Sequence, residues 1–329
     1  MDRKSHALHL FILLTAALGA GAFFSYALTK RLFGIALERN GAKKIENIPI
    51  VREMVSGILP QKEFLCALRK GEKQLRSLPT QKIEIKGADG IPLVGHWYPA
   101  KNPARTIIAM HGWRSSWARD FGLIASFWHK AGCNVLFAEQ RGQGESGGEH
   151  MSFGLIERQD CLCWIQWVNQ RMGKFPLYLA GISMGAATVL MAADLGLPCN
   201  VKGIIADCGF TSPHAIWKHV SEKNLHLSYR LRGQLADHFC KKTLQVGAND
   251  FSTLDALCQS TIPILLIHGK EDHFVPVEMT YENYKACAGP KRMLIIPHAD
   301  HGMSYYSAPD AYQKELLNFF ATFDHYKTY

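Results

Sequence analysis

The 329-residue sequence predicts an α/β fold, a mostly parallel sheet with helices on both faces. Three observations predict it. From residue 81 onward, short and nearly continuous apolar runs alternate with longer helical stretches, as expected of strands buried on both faces. The alternation opens with a hairpin, because "KIEIKG" and "PLVGHWY" flank the turn "ADG". It breaks once, at residues 211–250, and then resumes to the end of the chain with no internal repeat and no low-complexity segment.

After the hairpin the strand-like runs are "TIIAMHG", "NVLFAEQ", "PLYLAG" and "VKGIIADCG", followed beyond the break by "IPILLIHG" and "KRMLIIPH". Between them lie the helix-like stretches "WARDFGLIASFWHKAG", "FGLIERQDCLCWIQWVNQRMG", "MGAATVLMAADLG", "VEMTYENYKACA" and "YQKELLNFFATF". Residues 81–329 therefore read as one domain, preceded by a polar helical stalk or leading helix over residues 45–80 that ends near Pro79.

Residues 1–44 read differently. From Ala7 to Leu28 the chain carries one histidine and no full charge, long enough as a helix to cross roughly 30 Å of hydrocarbon. This predicts one transmembrane helix and a juxtamembrane segment, making the lipid bilayer a partner through residues 7–28. The rival is a cleaved signal peptide, with Arg3 and Lys4 as its basic start and Ala20-Gly21-Ala22 as its cleavage site. Against it, "FFSYAL" prolongs the apolar run past that site. Lys30, Arg31, Arg39, Lys43 and Lys44 follow the run and put the large domain on the cytoplasmic side of a single-pass membrane protein.

Composition excludes several classes. With 47% hydrophobic and 20% charged residues the chain is too apolar to be disordered. Its net charge of +9 comes from scattered Lys and Arg without a nucleic-acid-binding motif, which suits a surface facing anionic lipid better than a nucleic-acid partner. Nine cysteines, an odd number without framework spacing, read as reduced thiols. Cys161 and Cys163, two apart on a helix, point to different faces and pair poorly.

The chemistry is concentrated at strand ends. Ser183 lies between Gly181 and Gly185 where "PLYLAG" gives way to a helix. A nucleophilic serine there must sit on a tight, strained turn, and side chains two residues to either side would collide with the neighbouring strand and helix. Such a serine needs a base, and the base an orienting acid. Asp272 follows one later strand and His301 the next, in the order serine, acid, histidine. Competitors lie close by: His298, Asp300, Glu271, and Asp207 after the strand that follows the serine. His301 is preferred for its following glycine, and Asp272 for lying one strand and helix before it. His268 and His111, each before a glycine, read as loop hydrogen-bonding residues. Backbone amides of Met184, at a helix N-terminus, and Trp113, in the loop after the third strand, are the expected oxyanion donors.

"MHGW", "EQRGQGESGG", "GISMGA", "HGKEDHFVP" and "ADHG" stand in the order of the α/β-hydrolase superfamily, which the stretch from about Gln81 to Phe323 resembles. It is most similar to bacterial hydrolases with an N-terminal membrane helix, of the serine aminopeptidase-like and dipeptidyl-peptidase-like group. The resemblance implies an eight-stranded, mostly parallel sheet and a serine hydrolase. In it Ser183 is nucleophile, Asp272 acid, His301 base, and the amides of Trp113 and Met184 the oxyanion hole, with no metal or organic cofactor. Glu139 departs from the pattern, since relatives often carry aspartate before the arginine turn.

Residues 211–250 then read as a lid of two or three small helices. Trp217, Tyr229 and Phe239 cover the substrate and many cations lie around them. The expected substrate is a small-molecule ester with a short or medium acyl group. The alternatives are a peptidase, in particular an aminopeptidase, and a non-catalytic membrane-bound binding protein on the same fold.

Overall fold

The computed structural model describes residues 23–41 and 62–325. Its eight strands are β1 (Gln81–Lys86), β2 (Pro92–Tyr98), β3 (Arg105–Met110), β4 (Cys133–Ala138), β5 (Leu177–Ile182), β6 (Val201–Asp207), β7 (Ile264–Gly269) and β8 (Lys291–Ile296). They form one sheet in the order β1-β2-β4-β3-β5-β6-β7-β8. β2 runs antiparallel to both its neighbours, and β3 to β8 are mutually parallel. Every residue of β4 and β7 is buried, which is why these strands read as unbroken apolar runs.

The principal helices are α1 (Lys62–Arg76), α2 (Trp117–Phe121), α3 (Ala125–Lys130), α4 (Glu157–Met172), α5 (Met184–Met191), α6 (Pro213–His219), α7 (Arg230–Leu244), α8 (Thr253–Leu257), α9 (Val277–Ala286), α10 (Ser304–Ser307) and α11 (Pro309–Phe323). One face of the sheet packs against Trp117, Phe121, Trp128, Phe319 and Phe320 from α2, α3 and α11. The other packs against Trp164, Ile165, Val189, Leu190 and Leu257 from α4, α5 and α8. A third cluster lies beyond the C-terminal ends of the strands, where Met184 and Phe210 meet Ile216 and Trp217 of α6.

Two N-terminal segments pack on the domain. Over residues 62–76 the chain forms a leading helix, α1, which buries Phe64, Gly71 and Leu75. A side chain added at Gly71 would meet the backbone of Gly122 and Leu123 at 3.0 to 3.1 Å, so α1 lies tightly on the segment joining α2 to α3. Residues 23–37 are helical and dock on the domain, with Leu37 fully buried among Met151, Met184 and Phe210. Residues 7–22 of the apolar run lie outside the described residues, as do residues 45–61 of the expected stalk. No described helix is long and apolar enough to cross a membrane.

The interruption at 211–250 is helical, as expected. α6 runs into a widened turn, Val220–Asn224, and α7 follows as a 15-residue helix, longer than a small lid element.

Candidate active site

The parallel strands deliver their following loops to one edge, and Ser183 occupies its centre. Ser183 lies between β5 and α5 with φ 56° and ψ −117°, a backbone conformation costly for a residue with a side chain. The flanking glycines are needed for close approach: a β-carbon at Gly181 would overlap the Gly185 carbonyl, and one at Gly185 the Met110 carbonyl at the end of β3. The Ser183 amide donates to the Asp207 carbonyl at 2.8 Å, locking the turn to β6.

His301 meets the serine from the loop after β8. Its Nε2 lies 2.9 Å from Ser183 Oγ, and its Nδ1 lies 2.7 Å from Asp272 Oδ2. With Asp272 as acceptor, Nδ1 carries the hydrogen and Nε2 accepts from the serine hydroxyl. Asp272 Oδ1 accepts from the amides of Phe274 and Val275 at 2.9 and 2.8 Å, which fixes the carboxylate. His268 Nε2 donates to the Val275 carbonyl at 2.9 Å and stands 3.1 Å from Asp272 Oδ2, the loop role expected of it.

These contacts set the charges. Burial works against the Asp272 carboxylate, but His301 and His268 hold its pKa well below the usual range. Burial likewise opposes protonation of His301, yet the adjacent Asp272 charge raises its pKa well above that of a free imidazole. Cys208, on the loop after β6, has its sulfur within 4.8 Å of donor atoms of both residues. Burial pushes its thiol up to about 11, so it stays neutral at physiological pH. Among the described residues Cys208, Asp272 and His301 are the group close enough to hold a metal ion, and two of the three are already engaged with each other.

The competing residues are placed elsewhere. His298 is 87% exposed and pairs with Glu271 at 2.8 Å. Asp300 accepts from the His273 and His301 amides at 3.0 and 2.7 Å, fixing the loop. Asp207 is buried, accepts from Ser304 Oγ at 2.8 Å, and has its pKa pushed up by burial to about 6. Glu139 is buried against His96 Nε2 at 2.9 Å, a structural pairing.

The loop after β3 lies against the serine: a β-carbon at Gly112 would sit 3.4 Å from Ser183 Cβ. Trp113 is the next residue in that loop, and Met184 follows the serine as the first residue of α5. Sequence reasoning missed what fixes this loop. Asp120 Oδ2 accepts from the Gly112 amide at 2.7 Å, and its other oxygen from the Ser115 hydroxyl. Gln143 Oε1 accepts from the Arg114 amide at 2.6 Å. His111, held neutral by burial, uses Nδ1 on the Gly112 carbonyl at 2.8 Å and Nε2 on the Gln140 amide at 3.2 Å. An acid three or four residues into the helix after a His-Gly loop is the pattern that could have pointed to Asp120.

The three lid aromatics separate. Trp217 packs edge-on to Phe153 at 5.2 Å and shares a cluster with Trp113 and Met184. Phe239 faces Phe33 and Tyr26 at 5.5 and 5.4 Å rather than the serine. Tyr229 packs over Gly233 and beside His214 at 5.1 Å, lining a separate polar cavity with Lys218, Glu222 and Asp237.

Comparison with known proteins bears on the fold and the reaction class. Residues 101–253 match the family described as serine aminopeptidase, S33. An uncharacterized protein of Bacillus subtilis, YqkD, is 29% identical over 240 residues, covering 71% of this chain and 77% of its own length. The lysophosphatidylserine lipase ABHD12 of Danio rerio is 27% identical over 168 residues, covering 49% of this chain and 41% of its own. The Pyrococcus furiosus esterase Pf2001 superposes with a TM-score of 0.60 at 24% identity, covering 75% of this chain and 94% of its own. The chain is an enzyme of the α/β-hydrolase superfamily.

Proposed function

We propose that the protein is a serine hydrolase that cleaves carboxylic esters through an acyl-enzyme on Ser183. The observation that carries the reading is the unbroken chain of hydrogen bonds from Ser183 Oγ through His301 to Asp272. Ser183 Oγ attacks the ester carbonyl and passes its proton to His301 Nε2, while Asp272 stabilises the imidazolium. The amides of Trp113 and Met184 receive the oxyanion. His301 returns the proton to the leaving alkoxide, and the acyl group stays on Ser183. The same imidazole then takes a proton from water as it attacks the acyl-enzyme, releasing the acid and restoring the serine.

The acyl side is supported by the apolar wall of Trp217, Phe153, Phe210 and Phe274, the last at 5.1 Å from the His301 ring. ABHD12 and Pf2001, a lipase and an esterase by name, support an ester of short, medium or lipid-like acyl character. A membrane anchor at residues 7–28 is part of this reading. Its supports are the apolar run itself and the exposure of Phe23, Phe24 and Tyr26 where the described helix begins.

A peptidase is the second reading, favoured by the aminopeptidase family match. An aminopeptidase must hold a substrate ammonium with carboxylates near the nucleophile, because a buried unpaired cation is costly. Asp237 is instead bound to Lys241 at 2.8 Å, and Glu222 lines the outer cavity with Lys218 and Arg230. A panel of p-nitrophenyl acetate, p-nitrophenyl butyrate, a lysophospholipid and free-amine aminoacyl p-nitroanilides decides. Esters are expected to show the higher kcat/KM, and an anilide exceeding every ester overturns the ester reading.

A further inference from the structure

The helical stretch 23–37 and the turn after it run beside the oxyanion loop, far from it in sequence. Trp113 Nε1 donates to the Ala36 carbonyl at 2.8 Å. The Arg114 guanidinium donates to the carbonyls of Glu38 and Arg39 at 2.7 and 3.2 Å, and also to that of Ile35. These carbonyls close a helix C-terminus, where unsatisfied acceptors and the helix dipole both favour a cation. Arg114 is therefore the C-terminal cap of a helix to which it does not belong. It adopts φ 51°, and its ring neighbour is Trp113, with the guanidinium 5.2 Å from the indole centroid.

The same stretch is fastened on its other side. Arg39 reaches the carbonyls of Ser146, Gly148 and Gly144, and its amide donates to Glu149 at 2.8 Å. The Met151 amide donates to the Leu37 carbonyl at 2.8 Å. Phe33 packs on Trp217 and Phe239 of the lid at 6.4 and 5.5 Å. Residues 33–41 thus join three parts of the site wall: the oxyanion loop, the loop after β4, and the lid.

We propose that residues 33–41 are a positioning element for catalysis, a strap that holds the Trp113 amide in the oxyanion hole through Ala36 and Arg114. Trp113 has its side chain tied to the strap and directly follows Gly112, which lies against Ser183. Movement of the strap therefore moves a donor that must meet the developing negative charge in a fixed place. A helix leading into a domain would need none of these bonds merely to connect.

The inference rests on the acyl-enzyme reading, and the test separates the two. In the full-length protein, Arg114→Ala removes the cap, and Leu37→Ala loosens the strap while leaving in place the bonds from Trp113 and Arg114 to its carbonyls. Each is compared with the parent for kcat, KM, the pH profile and affinity for a trifluoromethyl ketone, which forms the oxyanion as a stable adduct. Removing an oxyanion donor outright costs about a hundredfold or more in rate, so a displaced donor should lower kcat roughly ten- to a hundredfold. KM should change less than threefold, ketone affinity should fall in parallel with kcat, and the acidic limb of the pH profile should stay in place. Arg114→Lys should recover part of the loss. The inference is overturned if both variants keep kcat within twofold of the parent. It is equally overturned if kcat falls with ketone affinity unchanged, since the strap would then be structural only. An active Ser183→Ala variant would instead sink the acyl-enzyme reading.

Discussion

His301 Nε2 and Ser183 Oγ stand 2.9 Å apart although 118 residues separate them along the chain. His298, three residues before His301, is 87% exposed and bound only to Glu271 among the described residues. The two histidines should therefore behave oppositely. His301→Ala is expected to lower kcat by at least a thousandfold, because the serine loses its base. His298→Ala removes an exposed pair worth little and should keep kcat/KM within twofold. Parallel ester assays on the two variants check this, and the reverse pattern would move the base to His298.

The acids offer the same contrast with an added pH signature. Asp272→Asn should cut kcat by several orders of magnitude while leaving the fold intact, whereas Asp207→Asn should keep activity within about threefold. Asp207 has its carboxyl pushed up to about 6 by burial, against about 4 in an unfolded chain. Its raised pKa means that stability is lost as pH climbs from about 4 to above 6, by up to about 3 kcal/mol. Asparagine cannot ionise and still accepts from Ser304. Urea denaturation should therefore show Asp207→Asn gaining on the parent as pH rises through that window. A difference independent of pH would contradict the assignment.

His301 must be neutral to act as a base, and the Asp272 charge raises its pKa above the ordinary histidine value. The rate of ester hydrolysis should therefore rise with pH through a midpoint above about 6.5. Removing the Asp272 charge should move the midpoint of the residual activity to lower pH. Initial rates from pH 5 to 9 measure both, and an unshifted limb in Asp272→Asn would refute the coupling.

The membrane reading has a direct test in whole cells. Cys66 on α1 and Cys258 after α8 are exposed cysteines without a disulfide. If the domain faces the cytoplasm, a membrane-impermeant maleimide should label them only after permeabilisation. Labelling of intact cells would reverse the orientation.

Much of the fold was legible because the information is local. β4 and β7 are buried throughout and read as apolar runs, and β1 with β2 flank a turn that closes an antiparallel pair. Ser183, Asp272 and His301 were legible for a related reason, since each lies just past a strand whose end the sequence marks. What holds them was not. The strap contacts join residues 33–41 to 113–114 and 144–151, and its acceptors are main-chain carbonyls that exist whatever the side chain. A stretch of Phe, Leu and Ala mixed with Lys and Arg suits the exit from a bilayer and a docked amphipathic helix equally well. Composition alone put residues 23–28 at the end of a membrane span and residues 29–41 in a juxtamembrane segment. Tyr229 and Phe239 were assigned to the substrate by apolarity, but Tyr229, just before α7, packs on Gly233, and Phe239, within the 15-residue α7, packs on Phe33.

The central claim is that Ser183 is the group that becomes acylated, and covalent labelling tests it most directly. The full-length protein is treated with a fluorophosphonate, its intact mass is measured, and the modified peptide is mapped by tandem mass spectrometry. One adduct on Ser183 is predicted, absent from Ser183→Ala and strongly slowed in His301→Ala. An adduct on another residue, or undiminished labelling of Ser183→Ala, would contradict the account.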